Sequence, residues 1–155
     1  MRVVCALALA ALCACTPNGM LGSQSGGSSG GAPVTKIDIN LTLHGSPTQL
    51  PQGFAGGYAP VQTMVSVGSF VQFTNSDGFA HTATGITGAT SFPASSPFSV
   101  SAQTQSGSAI SGGWSSGVLQ SGQSSQLIRI DAPGTYLFGC FFHYGAPMRG
   151  AVVAQ

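Results

Sequence analysis

The clearest alternation of apolar and polar positions runs over 36–43, where Ile37, Ile39, Leu41 and Leu43 interleave with Lys36, Asp38, Asn40 and Thr42. A period of two held over that length predicts a strand with one face in a core. Residues 47–60, bounded by Pro47 and Pro60 and holding Gly53, Gly56 and Gly57, predict a loop. The run 64–74 predicts two short strands about a turn at Gly68 and Ser69, and Asn75, Asp77 and Gly78 supply turn chemistry before strand propensity returns over 80–84. Between 85 and 117 Gly, Ser and Thr dominate, and Pro93 and Pro97 interrupt any regular element. Within that stretch 98–102 fits a short edge strand, and Trp114 is expected to pack beneath a loop. Sharper signals follow: a turn at 119–123, a strand over 126–130, a turn at 132–134, a strand over 135–139 and a last strand over 151–154. No stretch holds helical periodicity over ten residues. Short strands punctuated by Gly and Pro predict an all-β sandwich or barrel that begins near Val34.

Composition adds an export signal and a tether in front of that domain. Only 5% of the 155 residues are charged, against about 25% in typical soluble domains. No apolar run reaches the roughly 20 residues that a spanning helix needs. Residues 1–14 read as a signal peptide, with Arg2 as the positive start and a short apolar stretch after it. The Leu12, Cys13, Ala14, Cys15 segment resembles the bacterial lipobox, which implies lipidation of Cys15 as the first mature residue. Thr16 rather than Asp follows it, so the lipobox resemblance implies the outer membrane in a cell that has two. Residues 15–33 then form a lipidated cysteine and a Gly/Ser linker too poor in apolar surface to fold. Such a linker spans roughly 20–25 Å, and 34–155 is the folded domain. After the leader, Lys36, Arg129 and Arg149 stand against Asp38, Asp77 and Asp131. That balance excludes the basic patch a nucleic-acid binder needs and predicts a weakly salt-dependent partner interaction.

Cysteine usage points to chemistry at the C-terminal end. Of four cysteines, Cys5 and Cys13 leave with the leader and Cys15 is spoken for, so Cys140 is the lone thiol of an exported domain. In such a compartment disulfides are the norm, so an isolated thiol is a stray, a metal ligand or a nucleophile. Its neighbours decide between them. His143 and Met148 follow at C-x2-H-x4-M spacing on a connection between two strands, and a turn at 145–147 lets the three converge. Thiolate, imidazole and thioether together suit copper. His81, at the start of a strand after the 75–78 turn, is the candidate for a third strong ligand. His44 has no ligand partner near it in sequence and is expected to be exposed.

The stretch 65–82, from Val65 through Phe73 to His81 and Thr82, resembles the first-histidine region of the blue copper proteins, the cupredoxins. The stretch 134–150, from Gly134 through Cys140, His143 and Met148 to Gly150, resembles their C-terminal ligand loop, with spacings closer to plastocyanin than to amicyanin. The likeness is good over 62–81 and 117–155, loose over 34–45 and slight over 85–115. It implies a cupredoxin-like Greek-key fold binding one copper (Cu+/Cu2+) per domain. It also implies His81, Cys140 and His143 as trigonal ligands with Met148 as the long axial one. Phe70, Phe73, Phe138, Phe141 and Phe142 are candidates to bury the metal. Many family members carry Asn after the first histidine to tie the ligand loops, whereas this chain has Thr82, a poorer hydrogen bonder.

The resemblance implies single-electron transfer without enzymatic turnover. A redox protein donor and acceptor would dock near His143 on an apolar patch of Gly78, Phe79, Tyr144, Ala146 and Pro147. Copper storage or delivery without redox turnover is the alternative. A binuclear centre would need a second loop cysteine, and a multicopper oxidase would need His-x-His pairs; a Cys140 nucleophile would leave Met148 without a role.

Overall fold

A computed structural model describes residues 31–155. The leader, Cys15 and most of the Gly/Ser linker lie outside the described residues. Two sheets face each other as a Greek-key sandwich. The smaller has four strands in the order β10-β6-β1-β4, with β1 at Val34–Ile39, β4 at Tyr58–Ala59, β6 at Phe70–Asn75 and β10 at Ile128–Arg129. The larger has six in the order β5-β12-β11-β7-β9-β8. Its strands are β5 (Gln62–Val65), β7 (Thr84–Ile86), β8 (Gln105–Ser106), β9 (Ser115–Ser116), β11 (Gly134–Gly139) and β12 (Arg149–Ala154). β1 runs parallel to β6, and β12 parallel to β5; the other pairings are antiparallel.

The period of two in the sequence produces the core. Ile37 and Ile39 on β1 and Val71 and Phe73 on β6 point inward and are fully buried, meeting Phe138 and Val152 from the facing sheet. Phe73, Trp114, Phe138 and Tyr58 form an aromatic centre, with Phe73 stacked on Trp114 at 5.2 Å and Tyr58 edge-on to Phe138 at 4.9 Å. Trp114 is therefore a core residue, where a place beneath a loop was expected. Beneath Phe138 only a glycine fits: a Cβ on Gly150 would come within 2.5 Å of its ring and 2.9 Å of the Val61 carbonyl oxygen.

Three local expectations give way to structure. The alternation over 36–43 overruns the strand, because Asn40 ends β1 and caps a single helical turn, α1 (Leu41–His44). The Asn40 Oδ1 accepts from the Leu43 N–H at 2.8 Å, a local bond that competes with the sheet ladder and leaves Leu43 exposed. The expected loop over 47–60 contains a hairpin, β2 (Thr48–Leu50) with β3 (Gly53–Ala55), as well as β4. Leu50 and Ala55, with Phe92 from the segment after β7, cover Leu137 and Ala151 on the outer face of the large sheet, so β11 buries side chains on both of its faces. Finally, 98–102 is not an edge strand: Val100–Gln103 is a 3₁₀ turn, and the edge is β8 just after it.

Candidate metal centre

Three side chains distant in sequence meet at one end of the sandwich. The donor atoms of His81, Cys140 and His143 all lie within 4.8 Å of one another. His81 Nδ1 and His143 Nδ1 are 3.1 Å apart, and Cys140 Sγ is 3.8 Å from the first and 3.7 Å from the second. A point equidistant from the three atoms is about 2 Å from each, the length of a bond from imidazole to a first-row metal. Two imidazole nitrogens and a sulfur turned toward one another make a donor pocket of the size of a single metal ion. The donor chemistry and the spacing both fit copper.

Each donor is held by a different piece of chain. Cys140 follows β11 directly, and its N–H donates to the Met148 carbonyl at 3.0 Å, closing the loop that joins β11 to β12. Within that loop the His143 carbonyl accepts from Ala146 N–H at 2.9 Å and Met148 N–H at 3.2 Å, which turns the imidazole back over Cys140. Arg149 locks the loop from below: its Nε–H donates to the Tyr144 carbonyl at 3.1 Å, and its guanidinium lies 4.1 Å from the centre of the Tyr144 ring. His81 is positioned by paired bonds with Leu119, N–H to carbonyl in each direction at 3.1 and 2.8 Å. Asn75 braces the turn before it, donating to the Phe79 and Leu119 carbonyls and accepting from the Asp77 N–H.

Met148 is fully buried and shares the core cluster with Cys140. Its side chain lies against Gly57, whose φ of +74° suits glycine; a Cβ there would come within 2.5 Å of Met148 Cγ. Nothing in the sequence pointed to Gly57, because the loop that holds it meets Met148 only through the fold.

Thr82 makes the tie between ligand loops that its short side chain put in question. Its N–H points at Cys140 Sγ at 3.4 Å, and its hydroxyl accepts from the Phe141 N–H at 2.9 Å. The Tyr58 hydroxyl donates to the Thr82 carbonyl at 2.7 Å and fixes that backbone from the core side. Thr82→Val keeps the shape and removes the acceptor for Phe141. It is expected to lower unfolding stability by about 1 kcal/mol, read from denaturant midpoints; an unchanged midpoint would mean the tie carries no stability.

Charge around the cluster is uneven. Burial pushes the Cys140 thiol up, with the backbone N–H groups of Thr82, His143 and Phe142 acting against it. Burial and then the neighbouring His81 hold His143 below the usual imidazole range. Behind His81 lies Asp77, 3% exposed, with Oδ2 at 3.1 Å from His81 Nε2. Burial alone would raise its carboxyl, but bonds from the Thr42 hydroxyl, the His81 ring, and the Thr42 and Gly78 N–H groups outweigh that and bring it to about 2. Sequence reasoning took Asp77 as turn chemistry only; its place four residues before His81 was the available signal.

The other sequence candidates divide. His44 is partly buried, ends α1 and pairs with Asp38 at 3.3 Å, away from the donor cluster. Phe73 and Phe138 are buried beneath the site, while Phe70 and Phe141 are half-buried and Phe142 is exposed. Tyr144, expected in an apolar surface patch, is 2% exposed with its hydroxyl on the Pro93 carbonyl at 3.0 Å; it is loop support instead. Gly78, Phe79 and Ala146 are exposed, as is Phe142, whose ring centre is 6.2 Å from that of His143.

The copper binding proteins of the plastocyanin/azurin family match residues 56–155. The chain therefore belongs to that family, the cupredoxins, and its cofactor is copper. No curated protein matches the chain. Among solved structures, a purple cupredoxin from Nitrosopumilus maritimus is similar at 21% identity, covering 77% of this chain and 98% of its own, with a TM-score of 0.48. A mutant fern plastocyanin is similar at 22% identity, covering 78% and 100%, with a TM-score of 0.47. The family assignment rests on the match over 56–155.

Proposed function

We propose that this cupredoxin carries single electrons, with His81, Cys140 and His143 as the strong copper ligands and Met148 as the weak axial one. The observation that carries the reading is the triangle of two Nδ1 atoms and one Sγ, with edges of 3.1, 3.7 and 3.8 Å. Copper in a thiolate and two-imidazole set cycles between its +1 and +2 states. The protein's part is to hold that geometry still. Cys140 and His81 are fully buried, Thr82 and Leu119 bind them to the framework, and the aromatic core beneath resists movement. A site with four protein ligands has no open position for a substrate, so the reading is a carrier and not an enzyme.

His143 is the half-exposed member of the set and supports electron exchange with a redox protein docked on its side. Phe142, Phe79, Gly78 and Ala146 offer that partner an apolar, uncharged surface. A small docking face of this kind suits brief encounters.

The test is optical. The copper-loaded protein is expected to be intensely coloured and to bleach and recover reversibly with a reductant and an oxidant. A colourless site, or copper that exchanges freely with a chelator, would overturn electron transfer in favour of copper delivery. The proposal extends to location: the leader and the Leu12 to Cys15 segment support export and a lipid anchor at Cys15, on the outer membrane of a cell with two. The mass of the mature N-terminus is expected to show an acylated Cys15, and an unmodified one would remove the anchor.

A further inference from the structure

The carboxylate of Asp77 is spent in an unusual direction. The other two acids, Asp38 and Asp131, bond to His44 and Ser111 at the surface. Asp77 is buried, and its two oxygens are fully engaged. Oδ1 accepts from the Thr42 hydroxyl and the Gly78 N–H, both at 2.8 Å. Oδ2 accepts from the Leu41 N–H at 2.8 Å and the Thr42 N–H at 3.2 Å, and faces His81 Nε2 at 3.1 Å. Four donors from backbone and hydroxyl thus aim one negative charge at the far nitrogen of a metal-facing imidazole.

We propose that Asp77 is a charged positioning residue for the copper centre: it takes the Nε2–H of His81, leaves Nδ1 free as the donor, and favours the more highly charged Cu(II) state. This rests on the reading of His81 as a copper ligand. A backbone carbonyl could orient the ring equally well, since it too accepts one hydrogen bond. A carboxylate adds a negative charge behind the ligand, which makes the imidazole a stronger donor and lies in a buried place where water screens it little. α1 is the other half of the device, because its first N–H groups and the Thr42 hydroxyl hold the carboxylate on line. That also accounts for the strand ending at Ile39, since the chain turns there to present those donors to Asp77.

The two roles separate by sign. Asp77→Asn keeps an acceptor for His81 and removes the charge, so the copper-loaded full chain should stay coloured. At fixed ambient potential its Cu(I) to Cu(II) ratio should rise about tenfold or more, some 59 mV upward for one electron. Thr42→Val removes one hydrogen bond from Oδ1 and leaves more of the charge to act on His81, so the ratio should fall by about twofold or more. A purely structural role would move both variants the same way or neither, and either result overturns the proposal. A third measurement needs no variant and no metal. In the copper-free protein, imidazole nitrogen NMR at a pH where the ring is neutral should find His81 protonated at Nε2; protonation at Nδ1 overturns the proposal. Should Asp77→Asn fail to fold, the sign of Thr42→Val and the tautomer decide. Absence of colour in the unaltered protein would instead defeat the copper-ligand reading of the site.

Discussion

Cys140→Ser is expected to abolish the visible colour of the copper-loaded protein and to weaken its hold on the metal. The reason lies in the donor. A thiolate is soft and polarisable and is the ligand form of cysteine, whereas a serine hydroxyl keeps its proton at any ordinary pH. The site offers no substitute: Cys140 is the free cysteine among the described residues, and its Sγ is the third corner of a triangle whose other corners are imidazole nitrogens. The exchange also leaves a hydroxyl in a fully buried place built around sulfur, where the Thr82 N–H approaches at 3.4 Å. Visible spectra with copper stoichiometry after dialysis give the result. A serine variant that stayed intensely coloured would show that the thiolate is not the source of the transition.

The second large effect is on stability. Phe138→Ala is expected to cost about 3–5 kcal/mol, a large part of the roughly 5–15 kcal/mol by which a domain of this kind is stable. Phe138 is 1% exposed and packs edge-on against both Tyr58 and Phe73, at 4.9 and 5.0 Å. Gly150 lies so close beneath the ring that the chain there has been cut to fit it. With Trp114 and Ile110 also in the cluster, the neighbours are large and fixed by their own strands, so little can move into the space. Denaturant unfolding of the copper-free protein isolates the packing effect from metal binding. A loss below about 1 kcal/mol would show that the aromatic cluster relaxes to fill the cavity.

Much of this arrangement was legible in the residues. The alternation of Ile37 and Ile39, and the runs now seen as β5, β6, β11 and β12, gave the strands because a half-buried strand must alternate. The segments around His81 and around Cys140 to Met148 were legible for another reason: a metal loop needs particular donors at particular spacings, and few other uses explain them. Elsewhere local pattern was outvoted. Leu41 and Leu43 continued the alternation but were drawn into α1 by side-chain bonds from Asn40 and from Asp77, which is 36 residues from Leu41. Trp114 and the 3₁₀ turn fell in a Gly/Ser/Thr stretch with no periodicity to read, and Tyr144 turned inward because Pro93 offered its hydroxyl an acceptor.

By itself, then, the sequence determined the fold class and pointed to His81, Cys140 and His143, which the fold brings together, since both follow from patterns local to a strand or a loop. Tertiary structure decided what surrounds the donors. It brought Gly57 against Met148, brought the Phe141 N–H to the accepting Thr82 hydroxyl, and set the Asp77 carboxylate behind His81 with α1 holding it there. Each of these joins segments that no periodicity links. A hydrogen bond or a close contact across the sandwich depends on where two strands end, and that is settled only when the sheets have packed.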